Sequence, residues 1–169
     1  KSGHGSDSKL PGTIYKISRD GKTREVFSTG FRTPNGLGMM PGNRLVGSDN
    51  QGQWMPASKI NHLQKGRFYG WVASYSIPGM WEPDGGKIDL KNVIAPTDFE
   101  RPIVWMPQEF DNSSGGQHWV EDHRFGPLNN HLLHTSFGKG WVSYLMTQEI
   151  DGVLKALSRD YLSILELAS

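Results

Sequence analysis

Residues 30–71 read GFRTPNGLGMMPGNRLVGSDNQGQWMPASKINHLQKGRFYGW, and this stretch decides the fold. Its pattern predicts strands over 35–40 and 44–48 around the turn Pro41-Gly42-Asn43, because proline presets φ while Gly and Asn tolerate positive φ. A loop over 49–56, a strand over 58–63 and a short aromatic strand over 68–71 follow. The stretch is therefore predicted to form one full blade of antiparallel strands.

The sequence before this stretch contains a second hairpin signal. Residues 12–29 alternate apolar and polar side chains on both sides of Asp20-Gly21, a strong two-residue turn, and we expect them to end a preceding blade. Residues 1–11 are rich in Gly, Ser and Lys and are predicted to be a flexible segment.

The sequence after this stretch changes character twice. Residues 72–102 are rich in Pro, Gly and Asp and are predicted to be a long loop insertion. Strands resume over 103–106, 116–120, 131–136 and 141–146, so 103–152 is expected to hold most of a third blade. In the tail, 153–169, apolar side chains recur at Leu154, Leu157, Tyr161 and Leu165, which is helical spacing and predicts an amphipathic C-terminal helix.

The composition favours an all-β protein. The 169-residue chain holds 21 glycines and 10 prolines, and its six tryptophans, seven phenylalanines and five tyrosines favour strands. Short hairpins at this cadence are typical of a β-propeller, whose blades are four-stranded sheets of ~40–45 residues. About three blades cannot close a ring, so the fold class is predicted to be part of a β-propeller over 12–152.

The charge and the absence of cysteine exclude several classes of function. The formal net charge is +1, and no cluster of Lys and Arg predicts a nucleic-acid or membrane surface. No apolar run reaches the ~20 residues of a membrane span. With no cysteine, this stretch holds neither a thiolate zinc site nor an attached c-type haem.

An ordered series of short motifs over 12–152 resembles one protein family. It consists of Phe31-Arg32-x-Pro34-Asn35-Gly36-Leu37, Ser48-Asp49-Asn50-Gln51-Gly52, Ile60-Asn61, Gly70-Trp71, Ser114-Gly115-Gly116-Gln117, Phe125-Gly126-Pro127-Leu128, Leu132-Leu133-His134 and Ser136-Phe137-Gly138-Lys139. The series resembles the pyrroloquinoline-quinone-dependent glucose/sorbosone dehydrogenases, which are six-bladed propellers. It is more similar still to their relatives in large bacterial membrane-bound dehydrogenases, where the propeller is joined to helical-repeat and cytochrome c segments.

The resemblance implies a quinone site at the start of the opening stretch. Arg32 matches an arginine that pairs with the cofactor's carboxylates and reacting oxygens, a role suited to a permanently charged, forked donor. Asn35 matches an amide that hydrogen-bonds the same cofactor. Thr33 stands where the family commonly has a cofactor-binding asparagine, which is a departure.

The resemblance also implies a calcium ion and a binding mouth. Gly52 lies in the loop whose backbone carbonyls hold the cofactor-bridging Ca²⁺, an ion that prefers oxygen ligands. The proline that follows this glycine in the family is replaced by Gln53. Asp49 and Asn50 end a strand at the predicted mouth, where they are candidates for ligand or metal contact together with Thr33. The family's catalytic histidine lies upstream of this motif, so the catalytic residues stay unknown.

The histidines do not predict a metal site. His131 and His134 are an odd number of residues apart on one strand and are expected to point to opposite faces. His118, Glu121 and His123 are expected at the surface, since they converge only if the 121–122 turn folds them together.

Three functions stay open. The first is a segment of a quinone-dependent dehydrogenase that oxidises an aldose, a sorbosone-like substrate or an alcohol and passes electrons to a cytochrome c partner, with haem c outside this chain and a periplasmic or secreted location. The second is a non-catalytic propeller that binds carbohydrate or protein. The third is a metal-dependent lactonase-type propeller with Asn35 as a metal ligand.

Overall fold

The computed structural model describes residues 12–52, 55–71 and 97–163, so the segment 1–11 and most of the 72–102 insertion lie outside the described residues.

The first sheet is a hairpin. Strands β1 (Thr13–Ile17) and β2 (Arg24–Thr29) pair antiparallel, and Gly21 in the turn has φ of 72°. The predicted hairpin is confirmed.

The second sheet has four strands and is built on the opening stretch. Strands β3 (Pro34–Met40), β4 (Arg44–Asp49), β5 (Ser58–His62) and β6 (Val104–Met106) follow one another in the order β3-β4-β5-β6, all antiparallel. Gly42 and Asn43 in the β3–β4 turn have φ of 74° and 56°. The turn is thus the predicted one, and positive φ explains its residue types.

The fourth strand of this blade is not the predicted one. We expected the aromatic segment 68–71 to complete it, but the free edge of β5 is occupied by β6, which pairs Lys59 with Trp105 and Ile60 with Val104. The segment instead runs beside β2, where the Tyr69 N–H donates to the Thr29 carbonyl at 2.9 Å. Residues 30–71 therefore do not close a blade by themselves, because the closing strand comes from beyond the insertion.

The third sheet corrects the prediction for the tail. Strands β7 (Ser114–Trp119), β8 (Leu132–Ser136), β9 (Trp141–Ile150) and β10 (Val153–Ser163) lie in the order β10-β9-β8-β7. A short 3₁₀ segment, His123–Leu128, joins β7 to β8. The helix expected over 153–169 is wrong for 153–163, and 164–169 lie outside the described residues.

The tail forms a strand because a long strand edge is available to it. Asp151 and Gly152, with φ of 50° and 76°, turn the chain back so that β10 pairs along the whole of β9. Leu154 is buried whereas Leu157 is 72% exposed, which is the alternation of a strand rather than the shared face of a helix. Cross-strand hydrogen bonds have overridden an apolar spacing that also fits a helix.

The two four-stranded sheets pack face to face, with their first strands β3 and β7 side by side. This contact is close: a Cβ built on Gly36 would lie 2.3 Å from the Gly115 carbonyl oxygen. The core between the sheets consists of Met40, Val46, Ile60, Ile103, Val104, Met106, Leu132, Leu145 and Leu154. A second cluster, centred on Phe31, Leu63 and Tyr69, packs the β1–β2 hairpin against the other side of the second sheet.

This arrangement is that of two complete blades and a hairpin of a third. Each complete blade is a meander of four antiparallel strands, and both carry an irregularity at the same place in the first strand, between Asn35 and Leu37 and between Ser114 and Gln117. The fold class predicted from the sequence, an all-β partial propeller, is confirmed. No helix among the described residues has the length and apolar character needed to cross a membrane.

Candidate functional site

Asp49 supports the turn that carries Arg32. This aspartate ends β4 and its carboxylate is fully buried. One oxygen, Oδ2, accepts the backbone N–H of Arg32 at 3.1 Å, and the other, Oδ1, accepts that of Thr33 at 2.8 Å. Both carboxylate oxygens are thus used on two consecutive backbone groups, and the predicted contact of Asp49 with ligand or metal stays a prediction.

Asn35 and Asn50 hold the two blades together at this end. The Asn50 side chain donates to the Thr33 carbonyl at 3.2 Å and accepts the Ser114 N–H at 2.9 Å. The Asn35 side-chain amide donates to the Ser114 carbonyl at 2.8 Å. Ser114 begins the first strand of the next blade, so the two asparagines satisfy both of its backbone groups. The predicted contact of Asn35 with a cofactor and that of Asn50 with ligand or metal stay predictions.

Arg32 lies across Gly52. A Cβ built on Gly52 would lie 2.0 Å from Cδ and 2.6 Å from Nε of Arg32, so the arginine stem occupies the space that any other residue would fill. Arg32 is half-buried, and within 12–52, 55–71 and 97–163 its guanidinium forms no salt bridge with a carboxylate. Arg32, the predicted ligand-binding arginine, therefore has its stem packed against Gly52 and its guanidinium without a carboxylate partner among the described residues.

The Gly52 backbone is engaged in a tight turn. Its N–H donates to the Met55 carbonyl at 2.8 Å, and its carbonyl accepts the Met55 N–H at 2.9 Å. The described residues contain no group of three or more His, Asp or Glu side chains that could hold a metal ion. The part of the site that the structure describes does not assemble a calcium cage, and the predicted Gly52 ligand stays a prediction.

Lys59 is a buried cation that the sequence reading missed. It lies in β5 with no exposed side-chain surface, and its Nζ is 3.9 Å from Asp49 Oδ2. The ammonium donates to the Tyr69 carbonyl at 2.5 Å, and it sits 5.7 Å from the centre of the Trp105 ring. The available signal was weak: a lysine beside Ile60 in a strand predicted to lie inside a blade, where lysine is rarely buried unless it is paired.

Burial acts on both charges of this pair. It raises the pKa of the Asp49 carboxyl, against the opposing charge of Lys59 and the N–H groups of Thr33 and Arg32. It lowers the pKa of Lys59 to about 8, again opposed by its partner. Each charge therefore depends on the other for its ionised form.

A second buried network lies at the same end of the neighbouring blade. The Asp111 carboxylate accepts the Ser136 hydroxyl at 2.6 Å and the His134 Nε2–H at 3.1 Å, and it also accepts the Ser114 hydroxyl. The other His134 nitrogen, Nδ1, lies 3.2 Å from the Gln117 amide nitrogen, as expected for a neutral ring protonated at Nε2. Asp111 and His134 are fully buried, so this set of serine, histidine and aspartate is closed to any substrate.

Hydrogen bonding determines the charge of Asp111. Burial by itself would raise the pKa of this carboxyl. The hydrogen bonds from His134, Ser114 and Ser136 outweigh it, so the pKa lies below the ordinary value.

The other histidines are placed as predicted. His131 points away from His134, with its Nδ1 2.9 Å from the Asn129 carbonyl. His118, Glu121 and His123 are exposed. None of these side chains contributes to the arginine turn or to the buried networks.

Comparison with solved structures shows the fold. The chain is similar to the soluble aldose sugar dehydrogenase of Escherichia coli in its apo form, with 22% identity and a TM-score of 0.57 over 90% of this chain and 40% of that one. It is similar to the pyrroloquinoline-quinone-bound aldose sugar dehydrogenase of Streptomyces coelicolor, with 18% identity and a TM-score of 0.57 over 89% and 40%. It is also similar to an oxidoreductase (glucose dehydrogenase) of Thermus thermophilus, with 20% identity and a TM-score of 0.55 over 87% and 37%.

One of these structures is a pyrroloquinoline-quinone-bound sugar dehydrogenase, the kind of protein that the motif series resembles. The chain shares the fold of these sugar dehydrogenase structures and spans about two fifths of their length. No protein-family model matches the sequence, and no curated protein matches it either.

Proposed function

We propose that this chain forms part of a sugar dehydrogenase propeller of the pyrroloquinoline-quinone type and that Arg32 contributes one wall of the cofactor site. The observation that carries the proposal is Arg32: Asp49 accepts its backbone N–H, its stem lies against Gly52, and its guanidinium has no carboxylate partner among the described residues. The likeness to sugar dehydrogenase structures, one of them quinone-bound, supports the choice of ligand.

The chemistry of the group fits this arginine. Pyrroloquinoline quinone is a flat polycarboxylate, and a planar guanidinium binds carboxylates and carbonyl oxygens through paired, charge-assisted hydrogen bonds. When bound, the quinone supplies the two-electron acceptor for oxidation of a sugar hydroxyl. Arg32 in turn orients the acceptor and neutralises part of its negative charge.

The finer parts of the proposal come from the resemblance. The substrate would be an aldose, a sorbosone-like compound or an alcohol, the electron acceptor a cytochrome c, and the location the periplasm or cell envelope. Thr33 and Asn35 would line the mouth beside Arg32. Calcium held in part by the Gly52 carbonyl belongs to the same set of expectations; that carbonyl accepts the Met55 N–H at 2.9 Å and keeps a second lone pair.

One observation favours a second function, a non-catalytic propeller that binds carbohydrate or protein. The Asn35 amide, which matches a cofactor-binding amide, donates to the Ser114 carbonyl of the next blade. An amide used for blade packing is compatible with a mouth that has lost its cofactor. Failure of the protein to bind the quinone would select this function.

The substitution Gly52→Ala tests the quinone site. Gly52 does not have positive φ, so alanine fits the backbone, but its Cβ displaces the Arg32 stem that now lies 2.0 Å from that position. A shift of the guanidinium by about 1 Å is enough to lower the affinity for pyrroloquinoline quinone roughly tenfold or more. The measurement is the dissociation constant, taken from quenching of tryptophan fluorescence.

Gly116→Ala is the matched control. Its nearest neighbour to a built Cβ is Thr135 Oγ1 at 4.0 Å, an ordinary contact. We expect the affinity of this variant to stay within about twofold of the unsubstituted protein, since exposed substitutions away from a site change little. Equal affinity in Gly52→Ala and the control, or no binding by the unsubstituted protein, would contradict the proposed function.

A further inference from the structure

A buried charge pair lies directly beneath the arginine turn, formed by Asp49 and Lys59, neither of which has exposed side-chain surface. We propose that this pair consists of positioning residues that set the direction of the Arg32 guanidinium. The identity of the anion that Arg32 binds rests on the proposed function. The positioning of Arg32 is tested by a measurement that needs no ligand.

The first step is the chemistry of two donors side by side. The N–H groups of Arg32 and Thr33 lie 3.1 and 2.8 Å from the two oxygens of one carboxylate. An ionised carboxylate is acceptor-only, so it can satisfy both donors at once. A neutral amide in its place has one oxygen and would turn an NH₂ group towards one of them. The residue type at position 49 therefore decides the backbone geometry at position 32.

The second step concerns how the Asp49 carboxylate stays ionised although it is buried. A buried charge is costly unless a partner compensates it, and removal of one partner leaves the other uncompensated. Lys59 supplies that compensation at 3.9 Å, too far for a hydrogen bond but close enough for an ion pair. The Tyr69 carbonyl, which lies outside the arginine turn, holds the ammonium there at 2.5 Å.

The third step leads from the backbone to the guanidinium. With the Arg32 and Thr33 N–H groups fixed, the side chain leaves the turn in one direction and passes over Gly52. The Thr33 carbonyl is held as well, by Asn50 at 3.2 Å. The residues that hold this turn thereby define where the Arg32 guanidinium lies. Both binding and reaction rate depend steeply on the position of a group that contacts the ligand.

The experiment uses three variants of the charge pair: Asp49→Asn, Lys59→Met and the double variant that carries both substitutions. Leu132→Ala is the control. Leu132 is a fully buried core residue in β8, at the end that pairs with Trp119 and away from the end that pairs with Ser114. Its truncation therefore lowers stability without touching the arginine turn. Two readouts are used: hydrogen exchange of the Arg32 and Thr33 amides by NMR, and the dissociation constant for pyrroloquinoline quinone.

In Asp49→Asn we expect exchange at the two amides to accelerate more than tenfold beyond the change at core amides. We also expect quinone affinity to fall about tenfold, the equivalent of one lost hydrogen bond to a charged group. Lys59→Met should change both in the same direction. In Leu132→Ala the two amides should follow the core amides, and the affinity should stay within about twofold.

The double variant separates positioning from stability. Removal of both charges should restore much of the resistance to urea, because neither buried charge is left uncompensated. Affinity should stay low, since one of the Arg32 and Thr33 N–H groups still lacks its acceptor. Recovery of affinity together with stability would overturn the inference. So would exchange at the Arg32 and Thr33 amides of Asp49→Asn that rises no more than in Leu132→Ala.

The outcome for the proposed function is distinguishable. If the unsubstituted protein binds no quinone, the proposed function fails. The amide exchange of the Asp49 and Lys59 variants still decides whether the pair positions the turn.

Discussion

Replacement of Asp111 by asparagine should destabilise this protein strongly. The carboxylate is fully buried and accepts hydrogen bonds from three side chains and from the Ser113 N–H at 3.2 Å. Asparagine keeps the shape and one acceptor oxygen. Its NH₂ group must then face donors that pointed at Oδ2.

The magnitude follows from the number of donors left without an acceptor. Oδ2 receives the His134 Nε2–H and the Ser114 hydroxyl. A buried donor without a partner costs about 1–3 kcal/mol, so the loss in unfolding free energy is about 2–6 kcal/mol. A shift of the His134 proton to Nδ1 does not relieve it, because Nδ1 faces the Gln117 amide nitrogen at 3.2 Å.

The same substitution should alter the dependence of stability on pH. The pKa of Asp111 in the folded protein lies below its ordinary value of 3.8. The folded state therefore binds this proton more weakly than the unfolded chain, and the stabilisation is present above that value and lost as the pH falls through the folded pKa. Asp111→Asn removes this part of the acid transition.

Urea unfolding, followed by tryptophan fluorescence at pH 7 and between pH 5 and 2, measures both effects. Asp151→Asn is the control, since it makes the same chemical change in an exposed turn whose φ of 50° suits asparagine. The control should shift stability by no more than ~0.5 kcal/mol. A loss below about 1 kcal/mol in Asp111→Asn, or an unchanged acid transition, would refute the reasoning, because a satisfied buried network cannot be that tolerant.

Three further predictions concern the core. Burial raises the pKa of Tyr69 to about 12, so absorbance at 295 nm should show a tyrosine that ionises only near that pH in the folded protein and that is absent from Tyr69→Phe. Stability should fall from about pH 10 upward, because the unfolded chain ionises first. Tyr69→Phe should cost about 1–2 kcal/mol, because the hydroxyl donates to the His62 carbonyl at 2.6 Å and accepts the Gln64 N–H at 2.8 Å; a change within error in urea unfolding would contradict this. Leu132→Ala should cost about 2–5 kcal/mol, whereas Leu157→Ala, at a side chain that is 72% exposed, should cost far less; equal losses would mean that the core is not the one described.

The two complete blades satisfy the same structural need with different residues. In each blade, a buried aspartate accepts backbone N–H groups of the segment that leads into the first strand. Asp49 accepts the N–H groups of Arg32 and Thr33, and Asp111 accepts the N–H of Ser113. Asp49 ends the second strand of its blade, whereas Asp111 precedes the first strand of its own. In the first blade the carboxylate is compensated by Lys59, and in the second by hydrogen bonds from His134 and two serines.

Residues close together in sequence determined the hairpins of this protein. Turn chemistry at Asp20-Gly21 and at Pro41-Gly42-Asn43 is local, and so is the alternation of side chains that makes a strand, which is why both hairpins and the all-β class follow from the sequence. The opening stretch also contained the held arginine, its turn and its glycine, and the motif series matched the class of the structural neighbours.

The tertiary structure decided what depends on partners distant in sequence. Whether 68–71 or Val104–Met106 closes a blade depends on which segment reaches the free edge of β5, and the tail becomes a strand because β9 offers it an edge of ten residues. The direction of a side chain is decided in the same way: Asp49 turns inward because two backbone donors and Lys59 meet it there, and Asn35 faces the next blade because Ser114 begins there. Local preference is worth a few tenths of a kcal/mol per residue, roughly, while a buried unpaired group costs about 1–3 kcal/mol, so long-range pairing prevails wherever the two conflict.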